Sequence, residues 1–114
     1  MALSVDYQNI YLTRGDTADL LIPAYSDDEM TIPYEFQEGD KVFFHVALKP
    51  GQEVVISKEC AILEDGLVNL YLEPEDTEEL SFKVYRYEVE LVTSGNEHFT
   101  FIADQPFEIG KEID

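Results

Sequence analysis

The chain has no tryptophan, one cysteine, two histidines and only seven lysines and arginines among its 114 residues. With Cys60 alone, no intrachain disulfide can form and no cysteine-rich metal site can be built. The few cations face 25 aspartates and glutamates, for a formal net charge of −18. Nucleic-acid affinity comes largely from Lys and Arg neutralising phosphates, so this balance argues against nucleic acid as a partner. Anionic membrane surfaces are disfavoured on the same ground. No run approaches the ~20 apolar residues that span a bilayer. The opening MALSVDYQNIYL lacks the basic and continuous apolar segments of a secretory signal. The expectation is folding in a cytoplasm, with release inside an assembled particle left open. Glycines do not cluster, so no phosphate-cradling loop is expected.

Hydrophobic residues make up 45% of the chain, with seven Phe and seven Tyr, so a core is available despite the charge. A chain of this length fits one domain, residues 1–114, with a folded core over about 8–109. Period-two alternation dominates. In DKVFFHVALKPGQ, Val42, Phe44, Val46 and Leu48 share one face while Phe43, His45 and Ala47 share the other. Pro50-Gly51 then turns the chain into EVVISKECAI, and Asp65-Gly66 reads as a tight turn. LVNLYLEP places Val68, Leu70 and Leu72 opposite Asn69 and Tyr71. In FKVYRYEVELVT, Tyr85, Tyr87, Val89 and Leu91 oppose Val84, Arg86, Glu88 and Glu90. EHFTFI and PFEI supply two further strands, and SDDEMTIPYEFQE, residues 26–38, reads as a loop. The one helical segment is PEDTEEL, Pro74 to Leu80, with an early proline and acids suited to a first turn.

These features predict an all-β fold: an antiparallel, immunoglobulin-like β-sandwich of about seven or eight strands, with at most one helical turn near residues 74–80. A small barrel is the alternative. Leu80 followed by Tyr85 and Tyr87 is compatible with a tyrosine corner, in which a buried hydroxyl ties a strand to nearby backbone.

Arg14-Gly15-Asp16-Thr17 lies between the strand-like runs NIYLT and TADLLIP. Gly15 supplies the positive φ that a turn demands, and Asp16 or Thr17 can bond local backbone. A structural turn accounts for the tripeptide without a receptor, and the turn reading is preferred over an adhesive tip.

The same stretch, IYLTRGDTADLLI, resembles the opening strand, turn and second strand of the N-terminal domain of phage baseplate upper proteins. Those domains tend to run (I/L)TLxRGDT before an alternating strand. Three later stretches are similar to their pattern: GDKVFFHVALKPGQEVVISKE, DGLVNLYLEPEDTEEL and YRYEVELVTSGNEHFTFIADQPFEI. The resemblance implies a non-enzymatic virion component of a phage or prophage tail or baseplate. It would be assembled in the host cytoplasm and packed against other virion structural proteins, with a homo-oligomer as an open alternative. It carries over no catalytic, cofactor-binding or metal-ligating residue.

Read from the residues, the remaining candidates are weak. His45 and His98 alternate within strands, without a third ligand at metal spacing. Cys60, in SKECAILE, has no paired base and reads as a buried filler. Ser26-Asp27-Asp28-Glu29 lacks the spaced acids of a calcium loop and reads as solvated. The alternative function is a carbohydrate- or cell-surface-binding module, in which the 26–38 loop would offer Tyr25, Tyr34 and Phe36 as an aromatic platform. Strands with apolar residues on both faces favour contact with another subunit.

Overall fold

The structure, a computed structural model, describes residues 4–5, 9–27, 29–49, 51–81 and 83–110. Its elements in chain order are β1 (Ser4–Val5), β2 (Ile10–Thr13), β3 (Ala18–Tyr25), β4 (Lys41–Ala47), β5 (Val54–Glu64), β6 (Leu67–Leu72), α1 (Pro74–Thr77), β7 (Val84–Val92) and β8 (His98–Gly110). Among the described residues these strands form one eight-stranded sheet, ordered β1-β3-β6-β5-β4-β7-β8-β2. The all-β class and the single helical turn are as the sequence predicts. Gln8, Asp28, Pro50, Phe82 and residues 111–114, which carry parts of the expected core, acidic loop, turn, strand and acidic end, lie outside the described residues.

The expectation of a wholly antiparallel arrangement needs correcting. β2 runs parallel to β8, from Ile10 opposite Phe107 to Thr13 opposite Gly110, so the sheet is mixed. It also curls until it is nearly closed like a barrel, with β1 coming against β8 as well as pairing with β3. β5 makes the bend. Val54 to Cys60 pair with β4, whereas Ala61 to Glu64 pair with β6. Register shifts after Val46 and after Ile62 flank this handover, and bulges of that kind bend a strand and strengthen its twist. One long strand therefore serves two neighbours in turn as the sheet curls.

Burial follows the sequence alternation. Val42, Phe44 and Val46 of β4, Val68, Leu70 and Leu72 of β6, and Val89 and Leu91 of β7 are fully buried. Tyr85 and Tyr87 continue the buried side of β7. Phe44 is the hub, its ring 5.4 Å from Tyr87 and 5.7 Å from Phe107. Full burial of a side chain this size is worth about 1.5–3 kcal/mol relative to exposure, and the tilted rings add to it. The Tyr85 hydroxyl donates to the Ser81 carbonyl at 3.1 Å, the bond expected of a tyrosine corner.

Two prolines test the reading of strands. Pro106 does not break the chain between EHFTFI and PFEI, which merge into the single strand β8. It pairs with Arg86 one residue before β8 gains its second neighbour, β2, so the missing N–H falls where the strand is still an edge. Pro23 sits in β3 opposite Leu67. Its neighbour Ala24 donates to Gly66 at 2.9 Å, so alternation turns the Pro23 nitrogen to the outer edge of the strand.

Candidate functional site

The Arg-Gly-Asp segment is a turn held from several directions. Asp16 N–H donates to the Thr13 carbonyl at 3.1 Å, Gly15 has φ +82°, and Arg14 N–H donates to Gly110 at 3.0 Å. Gly15 N–H donates to Thr77 Oγ1 at 2.8 Å. Among the described residues Thr77 is the buried polar one, on a helical turn begun by Pro74 and capped at its start by Asp76, whose carboxylate accepts from Glu73 N–H at 2.7 Å. Lys58 reaches Asp76 at 3.1 Å and fixes α1 against β5. The strands on either side of the Arg-Gly-Asp turn are not sheet neighbours: β2 lies at one end of the strand order and β3 next to the other. The turn is a crossing between strands far apart in the sheet order, where the sequence suggested a simple link between two strands.

The 26–38 loop is irregular, as expected, apart from one bridge between Tyr25 and Pro33. Asp27 organises it. Its carboxylate accepts from the Thr31 N–H and hydroxyl and from the Ile32 N–H, which holds its pKa below the usual value. These oxygens are committed to the loop's own backbone. Tyr34 is buried, edge-on to Phe36 at 5.1 Å, and burial pushes its hydroxyl pKa up, with Asp40 and Glu97 adding to the rise. Phe36 and Tyr25 are half-buried. Tyr34 and Phe36 thus anchor the loop to the core, while Tyr25 lies half-buried on the other side of β3 from Ile22 and Ala24, so the three do not form one platform.

His45 falls on the outward side of β4, and His98 is the exposed first residue of β8. His45 Nδ1 and Ser57 Oγ are hydrogen-bonded at 3.2 Å, Phe43 stacks nearby at 6.1 Å, and Glu88 is opposite His45 on β7. His98 Nδ1 lies 3.4 Å from Glu90 Oε1. Sequence reasoning missed the His45–Ser57 pair, although the hairpin is symmetric about Gly51 and that symmetry sets the two residues face to face. The pair sits on an open, solvent-washed sheet face, with Ser57 exposed. Among the described residues no three His, Cys, Asp or Glu side chains converge as a metal site. Cys60 is buried, and burial, with Glu59 nearby, pushes its thiol pKa up to about 12. It is an inert filler at neutral pH.

What the surface does offer is apolar. Leu21, Leu63 and Tyr71 point outward from β3, β5 and β6, and Val54, Val55 and Val84 from the β4–β5 hairpin end and β7. Tyr11 and Ile32 add exposed area elsewhere. Among the described residues no helix is long and apolar enough to cross a membrane. No protein-family model matches the chain, and no curated protein matches it in sequence.

Proposed function

We propose that the chain is an immunoglobulin-like β-sandwich acting as a non-enzymatic assembly module of a phage or prophage virion, of the baseplate upper protein kind. The strand order supports the sandwich part. It divides at β5 into β1-β3-β6-β5 and β4-β7-β8-β2, matching the A-B-E-D and C-F-G sheets of such domains, with β2 as an added parallel edge. The Tyr85–Ser81 bond supports it further.

The observation that carries the assembly role is the set of large apolar side chains, Leu21, Tyr71 and Leu63, turned outward on the adjacent strands β3, β6 and β5. Docking would cover them, while the net charge of −18 opposes premature self-association. The phage setting rests on the sequence resemblance. Its two most distinctive stretches, Arg14–Thr17 and Pro74–Leu80, meet through the Gly15–Thr77 bond and so behave as one structural unit.

The test is mass spectrometry of density-purified particles from the source strain after prophage induction. The chain is expected at structural stoichiometry in intact tails. Recovery only in the particle-free lysate would overturn the virion assignment.

A further inference from the structure

We infer that the outer face of β3, β6 and β5 docks a different protein, whose contact patch has an apolar centre and an arginine- or lysine-bearing rim. The inference rests on the assembly reading above and adds which face is used and what chemistry meets it. Leu21, Leu63 and Tyr71 are 61%, 54% and 48% exposed on three adjacent strands. The register gathers them around Asn69, which has Leu21 opposite on one side and Ala61 on the other. Tyr71 follows two residues along β6, and Leu63 two residues along β5. Asn69 itself is occupied, because its amide donates to the Asp19 carboxylate and, at 3.2 Å, to the Leu20 carbonyl. The centre of the face therefore presents hydrocarbon and an already satisfied amide.

Charge identifies the occupant. Asp19 lies opposite Tyr71, Glu73 stands two residues beyond Tyr71 just past the end of β6, and Glu59 stands two residues before Ala61 on β5. All three are exposed, and the outward positions of these strands carry no lysine or arginine. A second copy would set these carboxylates against their own kind on chains of net −18. An arginine or lysine from another protein meets the carboxylates and can stack on the Tyr71 ring. The Val54, Val55 and Val84 group differs, because a cation, Arg86, lies beside it opposite Ala47, alongside Glu108 opposite Val84.

The experiment uses the full chain and three fluorescein-labelled amphipathic helical peptides, read by fluorescence anisotropy. One peptide has a leucine stripe flanked by arginines, the second replaces arginine by glutamate, and the third replaces leucine by serine. The leucine/arginine peptide is expected to bind, with both counterparts at least about tenfold weaker. Leu21→Ser and Tyr71→Ser are each expected to weaken binding about tenfold, and Val84→Ser on the other layer to leave it unchanged. Thermal melts confirm that each variant is folded. Equal binding by the Leu21 and Tyr71 variants, or by the leucine-free peptide, overturns the proposal. So does light scattering that shows a dimer dispersed by Leu21→Ser, which would assign the face to a second copy. Peptide binding without recovery in particles removes the virion setting and keeps the surface. Recovery without binding removes the surface alone.

Discussion

The backbone amide of Gly15 donates a 2.8 Å hydrogen bond to the hydroxyl of Thr77, 62 residues further along the chain. It joins the β2–β3 crossing to the helical turn and lets a sharp connection leave β2 without an orphaned donor. Thr77→Val keeps the shape and removes the acceptor. It is expected to destabilise the fold by about 1–3 kcal/mol in urea denaturation, whereas Thr77→Ser loses only a buried methyl, about 1 kcal/mol. A Thr77→Val variant as stable as the wild type would show that the hydroxyl contributes nothing.

Gly66 has φ +76°, and a Cβ there would stand 2.6 Å from Pro33 Cβ and 3.2 Å from the Ala24 carbonyl. Gly51 has φ +81° and open space around it. Gly51→Ala therefore carries only the conformational penalty, about 1 kcal/mol, while Gly66→Ala adds a clash that must displace the loop packed on β3. The expected order of thermal midpoints is wild type, then Gly51→Ala, then Gly66→Ala well below both.

Tyr85→Phe removes the donor to Ser81 and keeps the ring in the core. A loss of about 1 kcal/mol is expected, with an unchanged denaturant slope, because the buried area is the same. A variant as stable as the wild type would mean that the corner bond is only incidental.

Alkaline pH acts through groups kept neutral by burial. Cys60 titrates near 12 in the fold against an ordinary value of 9.0, and the Tyr34 hydroxyl is also raised. Below pH 9 the thiol is protonated in folded and unfolded chains alike and adds no pH dependence. Between 9 and 12 the unfolded chain ionises first, so stability falls as pH rises through that window. Denaturation midpoints should decline there, and a Cys60→Ala background should decline less steeply. In the native protein at pH 8 the thiol should react with a disulfide reagent only after denaturant is added.

A chain of net −18 repels itself when compact. Raising sodium chloride from 10 mM to 300 mM should lift the thermal midpoint by roughly 2–6 °C, through screening of exposed carboxylates. No change would mean that the carboxylates are spaced beyond effective interaction.

Much of this is legible residue by residue. The buried side of β4, β6 and β7 follows directly from alternation, because side chains on a strand point to opposite faces in turn. Pro74 and the acids after it mark the helical turn by the same local chemistry. The 26–38 loop misleads because a tyrosine in an irregular segment carries no period to say which way it faces. Tyr34 faces inward because Ala24, Gly66 and Tyr34 exchange backbone hydrogen bonds that clamp the loop over the core. The outward patch around Asn69 is half legible. Leu21 and Tyr71 occupy outward positions of their own strands, but their nearness comes from pairing.

The sequence by itself determined which residues share a face of β4, β6 and β7, the helical turn at Pro74 and the excess of negative charge, since all three are read from residues close together in the chain. The tertiary structure alone decided which strand lies beside which: the parallel β2–β8 pair, the bend of β5 from one partner to the other, and the meeting of Gly15 with Thr77. The physical reason is that a period of two fixes a strand's faces but leaves its edges alike. Neighbours are then chosen by closing a common core, which no local segment encodes.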